Sequence, residues 1–198
     1  MNQEEKNRFA QFIGKSLLKY HKKTRLSFYP TETLLQGKIE STGWADNKEL
    51  RVATGGDASV WLGVFVHETC HIDQGDKRPE WVESCERAVG IVDEWLGGKN
   101  SPKKTIKEAI DQVIELEWDC EHRSITKIKR NKLPVNIIEY SQMANAYILG
   151  YHWTLENRKW CKKSYKNPNV WRSMPKTLIP LSTALYPNKK LMEAFNEY

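Results

Sequence analysis

The sequence predicts an α+β protein, predominantly helical, with one small sheet near its N-terminus. Three observations carry that class. Segments with apolar residues three and four apart fill most of the chain. Residues 25–54 break that rhythm with short β-prone runs, LSFY and ELRVAT, cut by Pro30, Gly37, Gly43 and an Asp46-Asn47 turn. No linker, repeat or low-complexity tract divides the 198 residues. A single domain over residues 1–198 is therefore expected, with a basic, aromatic C-terminal segment from residue 157.

The elements follow in order. Phe9, Ile13, Leu17 and Tyr20 stand at helical spacing and predict a first helix from about Gln3 to Tyr20. After the β-prone stretch, Asp57 can cap a helix that runs to about Gln74 and stops at Gly75. Pro79 opens a third helix, which ends at Gly97-Gly98. Ser101-Pro102 is a cap followed by a first helical residue, and the long helix behind it should end near Asn131. One more helix is expected from about Asn136 to Asn157. The last forty residues, with Pro168, Pro175, Pro180 and Pro187, should be rich in loops.

Composition excludes several classes. With 39% hydrophobic and 28% charged residues the chain is neither disordered nor fibrous. No apolar run reaches the ~18 residues of a membrane span, so no membrane role is expected. The start, MNQEEKNRF, lacks the basic and apolar regions of a secretory signal. Cys70, Cys85, Cys120 and Cys161 form no C-x-x-C pair and read as reduced thiols of a cytoplasmic protein. The net charge of +6 is local. Seven basic residues and no acidic ones lie between Asn157 and Lys176, and the remainder is near neutral.

The chemistry concentrates in the second helix, which carries His67-Glu68-Thr69-Cys70-His71. Residues four apart on a helix differ by about 40° in direction, so His67 and His71 can offer two imidazole nitrogens to one metal ion. Glu68 lies beside them, placed to take the proton of an attacking water. The preceding run, ASVWLGVFV, holds no charge and should be buried. Two histidines and a glutamate next to it need partners, and a metal is one. The alternative is a pair of surface histidines at a helix end.

A zinc ion needs a third protein ligand. On the long helix, Ile106, Ile110, Val113 and Ile128 form an apolar stripe. Measured from Ile106, Glu117 falls at about 20°, and Cys120, Glu121 and Ser124 within about 60°. Glu117 is thus the expected third ligand, its alternative being a buried ion pair. Glu121, one turn on, can accept from the second nitrogen of a ligating histidine. Cys120 reads either as a packed thiol or as a thiolate ligand.

These residues resemble the zincin metallopeptidases, in the gluzincin arrangement of H-E-x-x-H followed on a later helix by E-x-x-x-(D/E). The resemblance rests on His67, Glu68, His71, Glu117 and Glu121 and covers about Glu49 to Lys129. The metzincin pattern is absent, with Gln74 at its glycine and Lys77 at its third histidine. A whole helix, Pro79 to Gly97, is inserted before Glu117. In style the chain is most similar to small zincin-like proteins of bacteria and their phages, which implies host cytoplasm if phage-encoded. The resemblance implies a zincin-like fold, bound Zn2+ and hydrolysis of a protein or peptide substrate, with Glu68 as general base. It also places ELRVAT where zincins keep the edge strand that pairs with substrate.

Two weaker features remain. Tyr140, Ala144, Tyr147, Tyr151 and Leu155 share a stripe, so Tyr147 and Tyr151 can donate to an oxyanion, or else are core residues. His152 points elsewhere, and His21 and His122 read as surface residues. The basic segment interleaves Lys162, Lys163 and Lys166 with Trp160, Tyr165 and Trp171. It suits a nucleic acid or an acidic partner, the alternative function being an inactive binding protein of zincin fold. Otherwise its aromatics dock back onto the core. Oligomeric state is not legible.

Overall fold

A computed structural model describes residues 2–36, 39–45, 48–161 and 164–196. The protein is α+β and predominantly helical. The order is α1 (Gln3–Tyr20), β1 (Arg25–Tyr29), β2 (Leu34–Gln36), β3 (Ile39–Ser41), β4 (Gly43–Ala45), β5 (Glu49–Ala53), α2 (Ala58–Lys77) and α3 (Pro79–Leu96). Then come α4 (Lys103–Arg130), α5 (Ile137–Asn157), and the short α6 (Pro168–Trp171), α7 (Leu181–Leu185) and α8 (Lys189–Met192). Gly37 and the Asp46-Asn47 turn lie outside the described residues. The chain divides into two compact units, one of residues 1–77 and 123–137, the other of residues 78–122 and 138–198.

In the first unit, Asn2 caps α1 reciprocally with Glu5, closing two otherwise orphaned amides. The sheet runs in the order β1-β5-β4. β1 pairs parallel with β5, Arg25 opposite Glu49, and β4 pairs antiparallel with it, Gly43 opposite Val52. This corrects the edge-strand expectation. ELRVAT supplies β5, the central strand, so its hydrogen bonds are taken on both sides and β4 flanks it instead. Leu50 and Val52, two apart and thus on one face, are fully buried, as are Leu62, Phe65 and Val66 of α2. Phe28 sits 5.5 Å from the Phe65 ring and 6.2 Å from Trp61. The charge-free run is buried at Leu62, Gly63, Phe65 and Val66, while Ala58, Ser59, Trp61 and Val64 are part-buried and Val60 is half exposed.

One element boundary differs from expectation for a backbone reason. α2 passes through Gly75 and ends at Lys77. Glycine only weakens a helix, whereas Pro79 forces the residue before it out of helical geometry, and Arg78 sits at φ −141° and ψ 58°. β2, β3 and β4 were not separable in the sequence, since three residues show almost no alternation.

The second unit packs α3, the first two-thirds of α4, α5 and the C-terminal turns around one apolar core. Val92, Ile106, Ile110, Ile114, Ile148, Leu149 and Val170 are its centre. Asn145 ties the loop-rich C-terminus to α5, its side chain donating to the Pro175 and Thr177 carbonyls and accepting from the Ile179 amide. The last forty residues are thus ordered by polar anchors, with three short helices among the described residues. No helix of the described residues is long and apolar enough to cross a membrane.

Candidate metal centre

α2 places His67 and His71 on one side, one turn apart, as their spacing requires. Their Nε2 atoms lie 3.0 Å from one another, and the rings meet edge to face at 4.7 Å. Nδ1 of His71 is 2.9 Å from Oε1 of Gln74. With that oxygen accepting, Nδ1 carries the proton and Nε2 keeps its lone pair, directed at His67. Gln74 is fully buried and so holds its pose. The sequence reading missed it, although the three-residue step from His71 puts both on one helix face.

Two nitrogens about 2.05 Å from a tetrahedral zinc lie roughly 3.3 Å apart, close to the spacing the pair already has. His67, His71 and Cys120 each offer a ligand atom, all within 4.8 Å of one another, and could hold a metal ion. Imidazole and thiolate suit zinc among divalent ions. Cys120 is fully buried, and Glu117 and Glu121 are buried on the same helix.

Glu68 is buried at 8% exposure, and its carboxylate lies against β4. One turn further on, Asp73 belongs to a different cluster. It accepts from Lys19 and Tyr20 and pairs with Lys127 at 2.8 Å. Burial alone would raise the Asp73 pKa, but the hydrogen bond and charge of Lys127, with Lys19 and Tyr20, hold it below the usual value. Tyr20 is pushed far up in return, by burial first and the Asp73 charge second. Lys127 also donates to Thr69, and Ser124 to the sulfur of Cys70, at 3.4 Å. These contacts run in register, α4 three residues on for α2 three residues on, which sets the two helices parallel along that stretch.

In the second unit the hydroxyls of Tyr147 and Tyr151 lie 3.0 Å apart. Burial, and then the Glu117 charge, raise both pKa values well above 10. They remain protonated donors throughout the ordinary pH range. Tyr165 packs on Tyr147 at 5.7 Å and Trp160 on Tyr151 at 5.3 Å. Two aromatics of the basic segment therefore dock onto α5. Arg158 donates to the Trp95 and Lys99 carbonyls, and Lys166 sits 5.8 Å over the Tyr165 ring. Lys162 and Lys163 lie outside the described residues. His152 accepts a structural role, 2.7 Å from the Ala184 carbonyl, while His21 and His122 are exposed. All four cysteines are buried thiols outside any disulfide.

No protein-family model, curated protein or solved structure matches the chain.

Proposed function

We propose that the protein is a zinc-dependent metallopeptidase that hydrolyses peptide bonds of an intracellular protein or peptide. The observation that carries this reading is the convergence of two histidine Nε2 atoms at 3.0 Å, one with its tautomer fixed by Gln74. Two like groups facing one another are hard to explain by packing alone. An ion between them would replace the single hydrogen bond that the pair can share by a bond to each nitrogen.

His67 and His71 would hold the metal, with the third ligand drawn from the inward face of α4. That face carries Cys120, whose sulfur is within reach, and Glu117, one turn earlier. A bound zinc supplies a Lewis acid and a lowered pKa for a coordinated water. The chain's own residues do the rest. Glu68, next in sequence to a ligand, takes the proton of the attacking water and passes it to the leaving amine. The resemblance to zincins points the same way, and an intact glutamate at this position has no use in a purely structural site. Four buried thiols outside any disulfide fit a reducing compartment.

The test is hydrolysis of fluorescein-labelled casein by zinc-loaded protein. Wild type should release peptides. Glu68→Gln should keep its zinc and its melting temperature and lose roughly 10²-fold in rate, the usual worth of a general base. Equal rates in the two proteins, or no cleavage by wild type, would remove the reading.

A further inference from the structure

Gly43 opens β4 at the place where that strand crosses α2. A methyl group built on its Cα would overlap Cγ1 of Val64 and stand 2.6 Å from Oε1 and 3.0 Å from Cγ of Glu68. Ordinary contacts begin at 3.4 Å. Several other glycines differ sharply. Gly14, Gly56, Gly75 and Gly90 have nothing within 4 Å of such a methyl. Gly43 is therefore glycine for a reason of space, and the space is filled by two side chains, Val64 and Glu68. Its backbone needs no left-handed angle, since the positive-φ glycine among the described residues is Gly98.

We infer that Gly43 is a positioning residue for Glu68: the bare Cα of β4 is the wall against which the carboxylate rests. The inference rests on the peptidase reading given above. β4 is held to β5 by its pairing opposite Val52 and Leu50, so the wall cannot easily retreat. The flexible partner is the glutamate. A β-carbon at residue 43 must push the carboxylate by on the order of 1 Å, a displacement that costs about 10²-fold where a reacting group is concerned. Metal affinity should be untouched, because the histidine pair is fixed from its own helix and by Gln74.

Acetohydroxamate, titrated into zinc-loaded protein by calorimetry, reads the carboxylate's position without turnover. A hydroxamic acid gives up its proton on chelating a metal, and Glu68 is the acceptor placed to receive it. Gly43→Ala should raise the dissociation constant at least tenfold with zinc content unchanged, and Gly75→Ala should leave it alone. Glu68→Gln should weaken binding as much. The double variant Gly43→Ala/Glu68→Gln should be no weaker than Glu68→Gln by more than twofold, because both changes remove one interaction. If Gly43→Ala fails to fold, Val64→Ala in the same chain removes the overlap with the apolar neighbour and leaves that with Glu68. Wild-type affinity in Gly43→Ala, or losses that multiply in the double variant, overturn the inference while the peptidase reading stands. Zinc-loaded wild type that binds no acetohydroxamate overturns both.

Discussion

Two polar sites lie within two turns of each other on α2, and they are built on opposite plans. Around Asp73 the charges are complementary. A buried carboxylate meets two ammonium groups and a phenol, and every contact joins a donor to an acceptor. Around His67 and His71 the facing atoms are alike, two imidazole nitrogens of which only one can donate to the other. A complementary cluster is complete in itself and serves stability. A convergent cluster of like donors could hold an ion. Burial does not separate the two, since both include side chains below 10% exposure. The sign and direction of the facing groups does.

The sharpest way to break this comparison is to remove one histidine. His71→Ala should reduce zinc affinity by at least about 10²-fold, measured by competition with a chromogenic chelator. It should also lower the melting temperature of the metal-free protein modestly, because the hydrogen bond from His71 to the buried Gln74 is lost. Zinc at a hundredfold excess over the wild-type dissociation constant should stabilise wild type by about 2.7 kcal/mol and the variant by about 0.4 kcal/mol or less.

The third ligand sharpens the comparison further. Cys120→Ala and Glu117→Gln, each assayed for zinc retained after gel filtration, should differ. The ligand's loss costs about 10-fold or more in affinity, while the other variant holds its metal as Glu115→Gln does. Equal retention in all three would take the third ligand off this face of α4.

Asp73→Ala attacks the other plan. It leaves Lys127 facing a hole in a part-buried site, and stability should fall by about 2 kcal/mol, below the 3–5 kcal/mol of fully buried pairs because Lys19 is half exposed. Urea denaturation of the metal-free proteins reads it. An unchanged midpoint would mean that the cluster contributes nothing net.

The smallest effect expected is at His152, a third arrangement, in which a carbonyl partner meets a part-buried ring. Burial, against the pull of that carbonyl, holds its pKa below 6.5. The unfolded chain therefore binds a proton there before the folded one does, and stability falls as pH drops below about 6.5. His152→Gln keeps a donor for the Ala184 carbonyl and should flatten that slope between pH 7 and 5. A slope identical to wild type would assign the acid sensitivity elsewhere.

Much of this was legible beforehand because it depends on period and spacing. α1 ran over the expected residues, and the buried stripe of α4 held Glu117, Cys120, Glu121 and Ser124 as its angles required. What failed to show depends on contacts between segments. Gly75 carries a stop signal that the helix overrides, because the true obstacle is Pro79. β4 is too short for its alternation to be seen, and the edge position expected of ELRVAT rested on the zincin resemblance alone, whereas β5 is the central strand. Gln74 and Gly43 have no chemical signature alone, and each matters only through the side chain that it touches.

Arg158 carries a consequence for the basic segment. Its guanidinium closes the Trp95 and Lys99 carbonyls at the end of α3, with its own backbone at φ 46°. That charge is spent on the fold and screens helix-end dipoles rather than phosphates. Counted as a polyanion binder, the segment therefore offers six cations, not the seven of its sequence. Since each phosphate neutralised adds about 0.9 to the slope of log affinity against log salt, any complex with duplex DNA through this segment alone should show a slope no steeper than about −5.4.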